Sequence, residues 1–146
     1  MYWSRAKTGG FTLIELLVVI AIIGILASVV LASLNSARAK SREAQRMAHV
    51  KSMKAALQLY FTDNGVYPSV GTDGLGYGVS ALATPLVPTY IAEIPADPQG
   101  QGWSYVRGPV DAYGIRVYSE VLGGWCKTGM SINPGWWGVG VPECDF

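Results

Sequence analysis

The chain has 146 residues, half of them hydrophobic, with a net charge of +1, two cysteines and one histidine. That length leaves room for one ordinary domain and an anchor, not for several domains. The charge is unevenly split. Residues 1–62 carry Arg5, Lys7, Arg38, Lys40, Arg42, Arg46, Lys51 and Lys54 against Glu15 and Glu43, whereas residues 63–146 carry Arg107, Arg116 and Lys127 against eight acids. A basic stalk and an acidic head follow, an asymmetry suited to subunit attraction or to membrane or nucleic-acid contact.

Phe11 to Leu34 is an apolar run with a single charged residue, Glu15. As a helix it would rise roughly 36 Å, enough to cross a hydrocarbon core of about 30 Å. A cleaved secretory signal has a shorter apolar core followed by small residues. Here the small pair, Gly9-Gly10, precedes the run. A plain anchor has no need of Glu15, because an intramembrane carboxylate is costly and marks function. Gly24, mid-span, permits close helix packing.

Helix signals continue beyond the span. Ala37 to Phe61 contains neither Pro nor Gly, and Met47, Val50, Met53, Leu57 and Tyr60 recur at three- and four-residue steps along one face. Arg38, Arg42 and Arg46 form an i, i+4 ladder, read as a solvated face. The predicted helix runs 11–62, with 11–34 as the membrane or filament-core part, and Asp63-Asn64-Gly65 ends it. Residues 63–146 form the head. A connection rich in Gly, Pro, Ser and Thr includes a short helical turn at 79–86, and Ile94 to Pro98 is a proline-bracketed turn. Strands are expected at 103–107 and 113–121, the latter with Tyr113, Ile115, Val117 and Ser119 on one face, and a short third strand opens at Trp125-Cys126. A small antiparallel sheet of this kind needs cover, which the upper helix supplies.

Lys7-Thr8-Gly9-Gly10-Phe11-Thr12-Leu13-Ile14-Glu15-Leu16 closely resembles the processing site of type IV pilins and of the pseudopilins of type II secretion, a prepilin with a class III signal peptide. The resemblance is strongest over residues 5 to about 35. It implies an α+β pilin-like fold, a long N-terminal helix packed on a small antiparallel sheet. It implies that residues 1–10 are a cytoplasmic leader, that a prepilin peptidase cuts after Gly10, and that the new amino terminus at Phe11 is methylated. Glu15 would pair with the Phe11 amine of a neighbouring subunit and set assembly register, since an ionic group in low dielectric is tolerable only when paired. Implied partners are identical or related subunits, the prepilin peptidase, and an inner-membrane platform driven by a cytoplasmic ATPase. The segment from Tyr60 to Pro68 is also similar to the family's helix-ending turn, while the helix-loosening proline of many pilins is absent, with Ala32 near that place.

A count of Arg38, Lys40, Arg42 and Arg46 against Arg5 and Lys7 would put the C-terminal part in the cytoplasm. The cytoplasmic leader and two cysteines in the far C-terminal region outweigh it. Cys126 and Cys144 are expected to pair, as in the C-terminal disulfide loop of many type IV pilins. Within that loop Trp136 and Trp137 cannot both face one side of a regular strand. One could pack and the other meet a neighbour, a surface or a sugar, or both could be structural, the reading favoured.

No zinc cluster, phosphate-cradling loop or nucleophile–base pair is evident, so no enzyme is expected, and His49 reads as structural. The resemblance raises calcium, which the major pseudopilin of type II secretion binds in a C-terminal acidic loop. Here Asp111, Glu120, Glu143 and Asp145 are scattered, with no dense run of oxygen ligands. No cofactor is therefore expected, with calcium kept as the open alternative, and weight moves from pseudopilin to pilin. The leading expectation is a structural subunit of a type IV pilus-like filament, inserted in the inner membrane and then extracellular. The alternatives are a pseudopilin of a periplasmic pseudopilus, or a membrane-anchored minor pilin that captures DNA or glycan.

Overall fold

The computed structural model describes residues 9–109, 111–138 and 140–144. Arg5, Lys7 and Asp145, and with them most of the expected leader, lie outside the described residues. The element order is α1 (Leu13–Asn64), β1 (Tyr77–Gly78), a 3-10 turn (Val79–Leu82), α2 (Ala83–Leu86), β2 (Ser104–Arg107), β3 (Tyr113–Ser119) and β4 (Gly124–Met130). The chain divides into two compact units with their boundary between Arg38 and Ala39.

In the first unit every described residue is exposed, from Gly9 to Arg38. Its helical part is long and apolar enough to cross a membrane. A water-soluble helix hides an apolar stripe against a core; an apolar helix exposed on every side suits lipid or other helices as its solvent.

In the second unit the helix carries an apolar face that is buried. Val50, Met53, Ala56 and Leu57 are at most 1% exposed. They pack with Tyr67, Leu82, Leu86, Trp103, Tyr105, Tyr113, Ile115, Val117 and Cys126 in one cluster. Each such large side chain contributes about 1.5–3 kcal/mol on burial. The helix stops where Gly65 takes φ +70°, a left-handed conformation that glycine adopts freely, and the Gly65 N–H donates to Phe61 O at 2.8 Å.

The sheet is fully antiparallel in the order β1-β2-β3-β4. In β3 the expected face is the buried one: Tyr113, Ile115, Val117 and Ser119 all lie under 4% exposure. Across the register Ile115 meets Thr128 and Val117 meets Cys126. Two elements differ from the sequence reading. β4 is seven residues rather than a short stub, because its full length pairs with β3. β1, only two residues long, has no alternating pattern to betray it; Tyr77 and Gly78 are strand only because Tyr105 and Ser104 pair with them.

The sheet's other face has its own small cluster of Val106, Ala112 and Trp136, with Ile132 and Trp137 against it. Glycines make room for the two indoles. A Cβ built on Gly108 would lie 2.6 Å from Trp136 Cζ2, and one on Gly114 would lie 2.9 Å from Trp136 Cε3 and 3.1 Å from Trp137 Cη2. The adjacent tryptophans thus both pack on the sheet.

Candidate functional site

At the start of α1, Thr12 and Glu15 form a reciprocal cap. The Glu15 carboxylate accepts from the Thr12 N–H at 2.9 Å and the Thr12 hydroxyl at 2.8 Å, while the Glu15 N–H donates to Thr12 Oγ1 at 3.2 Å. This is the Ser/Thr-x-x-Glu capping box, which satisfies helix-end donors that have no partner in the helix. Thr12 is the residue that sequence reasoning passed over, although the spacing was there to be read. Just before it lie Gly9 and Gly10, and a Cβ built on either meets nothing within 4 Å. Phe11 is 85% exposed. Nothing among the described residues requires glycine at 9 or 10, which leaves any such requirement to a partner. Gly24 is equally open.

One member of the ladder expected to be solvated is buried, Arg46, and this corrects the sequence reading there; Arg42 is half-buried. Arg38 is exposed, but Arg46 is 0% exposed. All five guanidinium N–H groups of Arg46 are used. Nε donates to Asp97 Oδ2 at 2.6 Å, Nη1 to Glu120 Oε1 at 2.6 Å and Glu43 Oε2 at 3.3 Å, and Nη2 to Gln99 Oε1 at 2.9 Å and Asp97 Oδ1 at 3.4 Å. Arg42 forks onto Glu120 at 2.8 and 2.6 Å. Glu43 in turn accepts from the Ser119 hydroxyl at 2.6 Å and the Glu120 N–H at 3.0 Å. Two cations and three carboxylates therefore pin α1 to the β3–β4 turn and to the loop at Asp97. The same Asp97 accepts the Gln99 and Gln101 N–H groups and Trp103 Nε1–H, which sets the proline-bracketed turn.

The Arg42 and Arg46 guanidiniums hold the Glu120 carboxyl down, to about 2 against an ordinary 4.5. Burial opposes ionisation of Asp97, yet Arg46 and the Gln99 and Gln101 amides keep it below its ordinary value. Carboxylates with depressed values support the fold fully above their unfolded pKa and lose that support as pH falls through the folded one. The thermal midpoint of the protein should hold steady at neutral pH and fall from about pH 4.5 downward, and Glu120→Gln should flatten that acid limb. A limb unchanged in Glu120→Gln would remove Glu120 as its source.

The remaining expected residues are placed as follows. Cys126 and Cys144 are joined, with Cα atoms 5.0 Å apart. His49 Nδ1 donates to Ala96 O at 3.0 Å and its ring meets Trp103 edge-on, a structural role. Arg116 lies over the Trp125 ring at 4.8 Å and the Trp137 ring at 5.9 Å. A depression of about 290 Å³ borders Ile94 to Asp97 and Gly100 to Trp103, and its ionisable group, Asp97, is committed to Arg46.

The calcium that the resemblance raises does not fit the described residues. Calcium takes six to eight oxygens. Among the described residues, no three His, Cys, Asp or Glu side chains converge. Segment 131–144 holds one described carboxylate, Glu143; Asn133 Oδ1 is taken by the Gly135 N–H, and Pro134 O is taken by the Lys127 ammonium at 2.9 Å.

Two family profiles match the chain: the prokaryotic N-terminal methylation motif over residues 5–31, and type II secretion system protein G over residues 31–123. Among curated proteins, the chain is 31% identical over 148 residues to type II secretion system core protein G of Dickeya chrysanthemi, covering 91% of this chain and 96% of that protein. It is 35% identical over 120 residues to the core protein G of Vibrio cholerae, covering 73% and 79% of the two chains. It is 35% identical over 116 residues to that of Escherichia coli K12, covering 75% and 79%. No solved structure matches the chain.

Proposed function

The chain belongs to the type II secretion system protein G family, and from that premise we propose that it is a pseudopilin, a structural subunit rather than an enzyme. It is inserted in the inner membrane through α1 with its head in the periplasm. A prepilin peptidase cuts after Gly10 and methylates Phe11. The apolar part of α1 then leaves the lipid and packs against the same part of identical or related subunits in a periplasmic pseudopilus, built on a membrane platform by a cytoplasmic ATPase.

What carries the reading is one juxtaposition. Two glycines that nothing among the described residues requires are followed, one capped turn later, by an apolar helix whose residues through Arg38 are all exposed. A protease needs bare backbone, which glycine offers. A filament core needs an apolar helix that its own chain leaves uncovered. The relatives support the pseudopilus over the type IV pilus that the missing acidic loop had favoured. Capture of DNA or glycan draws no support from the second unit, where Arg42 and Arg46 are spent on carboxylates and both tryptophans lie on the sheet.

Mass spectrometry of the protein from a host with its prepilin peptidase should find a chain starting at N-methylated Phe11. A bulky side chain at Gly10 should leave the head's thermal midpoint unchanged and abolish cleavage. An intact Met1 start in the wild-type protein would overturn the reading.

A further inference from the structure

Segment 131–144 lies beyond the reach of the protein G match, and the sequence reading treated it as a simple disulfide loop. Its attachments are more specific. Cys126 and Lys127 are consecutive in β4, so their side chains leave opposite faces of the sheet. Cys126, fully buried on the helix side, binds the end of the segment at Cys144. Lys127, 5% exposed on the other side, donates from Nζ to Pro134 O at 2.9 Å near the segment's start. Between these anchors Trp136 and Trp137 sit in the dents left by Gly76, Gly108 and Gly114. Trp137 holds φ +60°, a conformation that a bulky residue keeps only where its surroundings fix it. At the far end the segment pairs with the open edge of β4: the Lys127 N–H donates to Pro142 O at 2.9 Å and the Cys144 N–H to Lys127 O at 2.8 Å. An uncovered edge strand invites pairing with another chain.

We propose that residues 131–138 and 140–144 form a metal-independent strap. The Cys126–Cys144 disulfide latches it on the helix side, the Lys127 ammonium latches it on the outer side, and together they close the β4 edge without a divalent cation. The ammonium takes the Pro134 carbonyl at the start of the segment, and its positive charge there opposes a second cation beside it. The inference stands apart from the secretion reading, since it concerns only how the head holds its last strand.

The test uses the full chain in detergent micelles, with thermal unfolding followed by tryptophan fluorescence in calcium and in EGTA. The wild-type midpoint should be the same in both. Cys126→Ala/Cys144→Ala should lower it by about 10–20 °C equally in both, as expected for opening a disulfide loop of this size, and hydrogen exchange should show the amide at position 144 losing protection. Lys127→Met should loosen the Trp136–Trp137 turn, and Lys127→Gln, which keeps a donor for Pro134 O, should restore part of it. A calcium-dependent rise in the wild-type midpoint would overturn the proposal, and that arm needs no variant to fold. Rescue of the double cysteine variant by calcium, or retained protection at position 144 in it, would overturn it as well.

Discussion

Arg46→Met should destabilise the head by about 3–5 kcal/mol, the cost of removing one partner from a buried ionic cluster. Methionine has nearly the right length and fills the space, so the loss is electrostatic and not a cavity effect. It leaves Asp97 buried without its cation, and Glu43 and Glu120 facing one another with only Arg42 nearby. At roughly 4 °C per kcal/mol for a domain near 100 residues, the midpoint should drop by about 12–20 °C. Arg46→Lys should recover little of this. Lysine offers three donors from a point charge, and the site uses five from a planar fork. Adding Asp97→Asn to Arg46→Met should recover part of the loss, because it removes the charge left unpaired. A midpoint within about 3 °C of wild type in Arg46→Met would mean that packing of Val50, Met53 and Leu57 alone holds the helix to the sheet.

This cluster is also where the sequence was least informative. Val50, Met53 and Leu57 were legible as a buried face because periodicity counts apolar residues. Arg46 lies on the same face, four residues before Val50, and Glu43 three residues before that, yet a charged residue gives no burial signal of its own. Assigning Arg46 to a solvated ladder followed the usual behaviour of arginine. What reversed it is a partner 51 residues away in sequence, in a turn where Asp97 looked like ordinary turn chemistry. Local patterns carry elements; they do not carry pairings between distant loops. β1 failed for the same reason, its two residues being strand only through β2. The disulfide, the helix-ending Gly65 and the inward face of β3 were legible because each rests on residue chemistry or short spacing.

The N-terminal site shows a different kind of partial legibility. Glu15 was recognised for its cost in an apolar helix, but its local work with Thr12 was not. The two roles can be separated by measurement. Thr12→Ala removes the capping hydroxyl at about 1 kcal/mol and leaves the carboxylate free to pair with a neighbouring Phe11 amine. It should assemble at close to the wild-type level. Glu15→Gln keeps an oxygen to accept from the Thr12 N–H while removing the charge, and Glu15→Ala removes both. If the carboxylate pairs with a neighbour's amine in low dielectric, either change leaves that amine unpaired, at about 3–5 kcal/mol, or a loss of assembled filament on the order of 100-fold or more. Quantifying pelleted filament and inter-subunit cross-links for the three variants decides it. Normal assembly by Glu15→Gln would confine Glu15 to capping its own helix. A Thr12→Ala defect as deep as that of Glu15→Ala would make the cap itself the assembly determinant. The expected order, Thr12→Ala near wild type with both Glu15 variants lost, assigns the charge to the neighbour and the hydrogen bonds to the helix end.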